Sequence, residues 1–191
     1  MWAYGQKYTD KEIREAFDFS LNLGIRFVDT AEIYGSGYSE RLLGKFLKEI
    51  DQPVLVATKF LPWPWRITKG FVPRALKGSL DRLGLDSVDL YQIHSPMPTI
   101  SPETMMEGMV ECVKRGLTRT VGVSNFDEKY MIRAYTTLAR HGIPLASNQM
   151  HYSLLTRDVE RNGIFARCKE LGIRLIAYSP LEKGLLTGKY S

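Results

Sequence analysis

Cysteine is nearly absent from this sequence: its 191 residues hold two, Cys112 and Cys168. Both fall inside amphipathic helical patterns, so they read as buried free thiols rather than a disulfide or a metal pair. No metal site is expected, and the cysteine usage fits a reducing, cytoplasmic compartment. Long apolar runs are missing too, since nothing approaches the roughly 20 residues that cross a bilayer. Acidic and basic residues appear by Asp10 and Lys11, which argues against a signal peptide. There is no block of like charge. The formal net charge is +5, but Lys and Arg are scattered through helices, so no nucleic-acid partner is expected. An anionic small molecule fits the charge equally well. Linkers and low-complexity stretches are also lacking, and residues 1–191 read as one domain. With 44% hydrophobic and 25% charged residues, the balance is that of an ordinary globular protein.

What is present is an alternation. Short runs rich in Val, Ile and Leu read as buried strands at Arg26–Asp29, Pro53–Thr58, Val88–Ile93, Thr120–Val123, Leu145–Gln149 and Arg174–Tyr178. Amphipathic helices are expected at Asp10–Leu23, Glu40–Lys48, Phe71–Leu83, Pro102–Arg115, Glu128–Arg140 and Asp158–Leu171. Several of them stop at a glycine followed by an apolar residue, as in Leu83-Gly84-Leu85 and Leu171-Gly172-Ile173.

Repeated βα units build a parallel sheet, either doubly wound or closed into a barrel. The doubly wound dinucleotide fold needs G-x-G-x-x-G after its first strand. The nearest candidate, Gly35-Ser36-Gly37, lacks the third glycine. The expected fold is therefore α/β, a TIM (β/α)8-type barrel. Only six strands are legible where the closed barrel has eight, so the barrel is expected to be incomplete, with open edges through which the chain could self-associate.

Each strand ends on polar groups: Asp29, Lys59, His94, Ser124-Asn125, Asn148-Gln149 and Tyr178-Ser179. Any one of these is more often a cap or a solvated charge. In a barrel, however, all the C-terminal strand ends converge on one rim, where active sites are built. The stretch Gly24-Ile25-Arg26-Phe27-Val28-Asp29-Thr30-Ala31-Glu32-Ile33-Tyr34-Gly35 resembles the signature of the aldo-keto reductase family. Ala57-Thr58-Lys59-Phe60 and Tyr91-Gln92-Ile93-His94 resemble that family's Lys and His segments. Gly122-Val123-Ser124-Asn125-Phe126, Asn148-Gln149 and Ala177-Tyr178-Ser179-Pro180-Leu181 resemble its cofactor-binding segments.

The resemblance implies an oxidoreductase that reduces an aldehyde or ketone with hydride from NAD(P)H, with NADPH preferred over NADH. It assigns Asp29, Tyr34, Lys59 and His94 as catalytic. Ser124, Asn125 and Gln149 would hold the nicotinamide carboxamide, Tyr178 would stack on the ring, and Ser179, Pro180, Leu181 and Lys189 would meet the pyrophosphate. It also implies that the family's first strand, and its last strand with its helix, are absent here. The chemistry is coherent. Hydride arriving at a carbonyl carbon makes an alkoxide that needs a proton. Tyr34 can give it, but a phenol titrates near pH 10, so Lys59, paired with Asp29, is expected to lower that value. His94 would hydrogen-bond the carbonyl oxygen.

Trp63 and Trp65, in Leu61-Pro62-Trp63-Pro64-Trp65, either wall an apolar substrate pocket or pack on a neighbouring loop. Two rival functions follow from the same fold. One is a redox-sensing interaction subunit, since the family includes subunits that bind potassium channels. The other is a Schiff-base lyase with Lys59 as nucleophile, which an Asp-paired, protonated lysine serves poorly.

Overall fold

A computed structural model describes residues 8–189. The first helix, α1 (Asp10–Asn22), opens on a capping box, in which the Thr9 hydroxyl accepts the Glu12 N–H and the Glu12 carboxylate accepts the Thr9 N–H. Two backbone donors that have no intrahelical partner are thereby satisfied. The chain then alternates through β1 (Phe27–Asp29), α2 (Tyr38–Leu47), β2 (Leu55–Phe60), α3 (Phe71–Leu83), β3 (Val88–Ile93) and α4 (Pro102–Lys114). It continues with β4 (Thr118–Ser124), α5 (Glu128–Ala139), β5 (Leu145–His151), α6 (Asp158–Arg161), α7 (Ile164–Glu170) and β6 (Arg174–Tyr178), and a 3-10 segment follows at Glu182–Thr187.

The strands pair in parallel in the order β1-β2-β3-β4-β5-β6, one curled sheet of six with helices against it. This is the wall of an incomplete (β/α)8 barrel, as the strand count implied. β1 and β6 are its two edges among the described residues.

Alternation along each strand separates two environments. On the helix side, the Tyr91 hydroxyl donates to the Val72 carbonyl in α3, and Thr58 donates to Glu40 of α2. The opposite face carries Asp29, Lys59, Gln92, Gly122, Ser147 and Gln149, and so faces the barrel interior with polar groups. The hydrophobic core lies between sheet and helices, where Val56, Phe60, Leu76, Tyr91, Ile93, Met105, Met109, Val121 and Val123 are all buried.

Most element ends shift by one or two residues, β5 for instance running on to His151, and three differences bear on the site or its frame. β2 runs on to Phe60, so Lys59 lies inside the strand and not after it. β4 begins at Thr118 and ends at Ser124, longer than expected at both ends. The helix expected at Asp158–Leu171 is two helices, α6 and α7. Gly163 has φ 84°, and the Asn162 side chain accepts the Ile164 N–H at 3.2 Å. A left-handed glycine next to an asparagine that bonds its own neighbourhood offers the backbone a turn in place of a helix.

Candidate active site

Asp29 is the last residue of β1, and Lys59 lies on the same face of β2. The Lys59 ammonium has no exposed surface; it donates to the Asp29 carboxylate and, at 2.8 Å, to the Thr30 carbonyl. Burial pulls Lys59 below the ordinary lysine value, and the Asp29 carboxylate opposes that shift without cancelling it. An amine so enclosed is not offered to a carbonyl, which weakens the Schiff-base reading.

Tyr34 sits in the turn between β1 and α2. Its ring lies beneath the Lys59 ammonium, 5.1 Å from nitrogen to ring centroid, and edge-on to His94 at 5.6 Å. The four residues assigned to catalysis are therefore brought together from three successive strand ends. The expected lowering of the Tyr34 value is not what this arrangement gives. Burial first, then the Asp29 carboxylate and Tyr178, push the Tyr34 phenol up to about 12. The reason is geometric: the ammonium lies over the ring face, and its hydrogen bonds go to Asp29 and Thr30.

His94 follows β3, and its backbone N–H donates to the Phe60 carbonyl at 2.8 Å. Burial, reinforced by the Lys59 charge, holds its imidazole down to about 4. It is therefore neutral at neutral pH, and its Nδ1 is buried without a hydrogen-bond partner.

The segments beyond β4, β5 and β6 form a polar strip beside these groups. The Ser124 hydroxyl donates to the Gln149 carbonyl at 2.9 Å. Asn125 adopts a left-handed φ of 59°, and its amide nitrogen donates to the His94 carbonyl and to Ser124 Oγ, both at 3.1 Å. Tyr178 closes the link by donating to Asn125 Oδ1 at 3.0 Å. Its ring stacks on His151 at 5.2 Å and is 36% exposed, so it is not a core aromatic.

Ser179 has φ 51°, and Ser179, Pro180 and Leu181 lead into the 3-10 segment. That segment is fastened by Glu182, which accepts from Ser153 and, at 2.8 Å, from Thr156. Lys189 is exposed. A cleft of about 380 Å³ opens between Tyr152–Arg157 and Ala177 and Pro180, beside this strip and away from Asp29 and Lys59. Trp63 and Trp65 stack on each other at 5.2 Å, with Trp65 mostly exposed on the loop after β2.

Residue-by-residue reading of the sequence left Gln92, Ser147, Glu40 and Glu182 without a part. Only Gln92 carried a signal, as a polar residue two before His94 between Tyr91 and Ile93. Asp89, read as structural, accepts the Val56 N–H at 2.8 Å and pairs with Arg119. Both cysteines are buried and free.

Parallel strands whose C-terminal ends gather an Asp–Lys pair, a tyrosine and a neutral histidine beside a polar strip form the rim of an incomplete (β/α)8 barrel. The profile of the aldo/keto reductase family matches residues 1–191, and the chain belongs to that family of oxidoreductases. It is 42% identical over 204 residues to a chloroplastic pyridoxal reductase of Arabidopsis thaliana, covering 100% of this chain and 56% of the relative. A thermostable aldo-keto reductase crystallised with the inhibitor epalrestat superposes with a TM-score of 0.86 at 35% identity, over 98% of this chain and 69% of that one. An aldo-keto reductase from Klebsiella pneumoniae in complex with NADPH gives 0.82 at 29% identity, over 94% and 61%. The chain thus spans a little over half the length of that curated relative. Among the described residues no helix is long and apolar enough to cross a membrane, and no group of three or more His, Cys, Asp or Glu is placed to hold a metal.

Proposed function

We propose that the protein reduces an aldehyde or ketone to the alcohol, with NADPH as the hydride donor and Tyr34 as the proton donor. The observation that carries this reading is the Asp29–Lys59–Tyr34–His94 cluster at one rim, with Lys59 enclosed and His94 neutral. A neutral imidazole can hydrogen-bond a carbonyl oxygen and place it near the Tyr34 hydroxyl. Once the carbonyl carbon is reduced, its oxygen is an alkoxide, a stronger base than a phenolate. Proton transfer from Tyr34 is therefore downhill even with its value raised. Asp29 keeps the Lys59 ammonium in place over the Tyr34 ring.

The dinucleotide, when bound, supplies the hydride. The residues suited to hold it are Ser124, Asn125 and Gln149 at the carboxamide, Tyr178 at the ring, and Ser179, Pro180, Leu181 and Lys189 toward the pyrophosphate. A Tyr178 ring fixed by His151 and Asn125 fits a stacking role, and the Gln149 side chain makes no hydrogen bond within the described residues. The relative named for pyridoxal reduction makes an aldehyde the first carbonyl to test, and two buried free thiols suit a reducing compartment such as the cytoplasm.

The decisive experiment supplies NADPH deuterated at the transferable position, together with a panel of aldehydes and ketones. Deuterium on the carbinol carbon of the product is expected. NADPH binding with no alcohol formed from any carbonyl would overturn the reductase reading in favour of a redox-sensing subunit.

A further inference from the structure

Behind the catalytic pair lies a buried polar chain that the reductase reading does not use. Gln92 of β3 has no exposed surface, and its Nε2 donates to Asp29 Oδ1 at 3.2 Å, while Asp29 Oδ2 faces Lys59. Gln92 Oε1 accepts from the Ser147 hydroxyl at 3.3 Å, and Ser147 is 2% exposed. These residues share one row of the sheet: Lys59 is level with Gln92, Gln92 with Gly122, and Gly122 with Ser147.

Ser147 is thus two strands away from Gln92, with β4 between them. Two local features allow the contact. The residue that intervenes is a glycine, and a Cβ at position 122 would lie 2.3 Å from Ser147 Oγ and 3.2 Å from Gln92 Cγ. A glycine inside a strand is unfavourable in itself, but here its missing side chain is the space through which the hydrogen bond passes. The second feature is an irregularity in β5. Val121 pairs with Leu145, yet Gly122 pairs with Ser147, so Ala146 is an extra residue. Such a bulge re-aims the side chains beyond it, and it turns Ser147 to the interior face.

Hydrogen-bond capacity fixes the direction of the chain. An ionised carboxylate only accepts, so the amide must turn its NH₂ to Asp29 and its oxygen to Ser147, which donates. We propose that Gln92, oriented by Ser147 across Gly122, is a positioning residue that pins Asp29 so that its second oxygen stays on Lys59. The groups facing Lys59 from the elements around it are Asp29 on β1, Tyr34 in the following turn, Glu40 on α2 and His94 after β3. Glu40 is committed to Thr58 and Arg82. Gln92 therefore acts on Lys59 through the orientation of Asp29.

The inference takes its catalytic meaning from the reductase reading, but its test does not need turnover. Protein labelled with 13C at the lysine ε carbons is titrated by NMR, with the Lys59 resonance identified by its loss in Lys59→Met. Gln92→Leu, which keeps bulk and removes the donor, is expected to lower the pH at which Lys59 loses its proton. Ser147→Ala and Gly122→Ala should lower it in the same direction by less. With an aldehyde substrate, kcat of Gln92→Leu should fall by about tenfold or more, because a displaced catalytic group is costly. The alkaline limb of its pH profile should move to lower pH. Tyr91→Phe, next in β3 but on the helix side, should change neither readout.

An unchanged Lys59 titration in folded Gln92→Leu would overturn the proposal, as would an equal shift in Tyr91→Phe. If Gln92→Leu does not fold, Ser147→Ala decides by the same criterion. A Lys59 shift without any carbonyl reduction in the parent protein would sustain this inference while the reductase reading fails.

Discussion

Tyr34 and His94 meet edge to face at the rim, and burial moves each of them away from its charged form. For His94 the consequence is measurable without a substrate. Its folded value, about 4, lies below the ordinary 6.5. As pH falls through 6.5 toward 4, the unfolded chain takes up a proton that the native state refuses, so acidification in that window destabilises the fold. NMR titration of the imidazole should find His94 neutral until the pH nears 4, and a midpoint close to 6.5 would refute this. For Tyr34 the expectation is kinetic. Tyr34→Phe should cut kcat by about 10²–10⁴-fold, the usual span for a general acid, with NADPH affinity nearly unchanged. Near-full reduction by the variant would remove Tyr34 from its role. The sequence exposed both residues because each stands in a contiguous motif beside a strand end. It did not expose the upward push on Tyr34, which depends on where Lys59, Asp29 and Tyr178 lie around the ring.

At the scale of the elements, the helices hold the rim in place by close approach. Gly44 of α2 meets the end of α3 so tightly that a Cβ there would lie 2.4 Å from the Leu83 carbonyl oxygen and 2.9 Å from that of Arg82. Alanine is a better helix former than glycine by about 1 kcal/mol, but forcing a methyl against backbone costs about 1–3 kcal/mol. Gly44→Ala should therefore lower Tm, and an equal or higher Tm in thermal unfolding would show that α2 and α3 separate freely. Strand and helix order were legible from periodicity and from glycine stops. The break between α6 and α7 was not read, although Val159 and Ile164 are five residues apart, about 140° round a helix, with Asn162–Gly163 between them. Lys59 was expected after β2, since the apolar run was read as ending at Thr58. The Asp29 carboxylate on the neighbouring strand is what lets the lysine sit inside.

At the scale of the whole molecule, the described residues present two sheet edges, β1 and β6. Near β1, Leu23, Ile25 and Phe27 are exposed, with Leu55 on β2; beyond β5 and β6 so are Leu154, Leu155, Leu181 and Leu185. Apolar strands in parallel sheets are ordinarily covered on both faces, and closure is what removes edges from a barrel. A polypeptide of these 191 residues by itself is expected to self-associate. Size exclusion with light scattering should show dimers or larger species that grow with concentration. A monodisperse monomer at high concentration would show that these edges are protected.

The sequence by itself determined the class of fold, because alternating apolar runs and glycine-stopped amphipathic helices leave parallel βα units as the way to bury both. It also determined which residues stand at the strand ends, since those positions are local. Only the tertiary structure decided what those residues do to one another. Lys59 reaches Asp29 across a strand pair, Asn125 ties β3, β4 and β6 together, and Gln92 reaches Ser147 through the gap at Gly122 after a bulge turns β5 over. These relations rest on register and on the space left by a missing side chain. Neither is written in the spacing of residues along one chain.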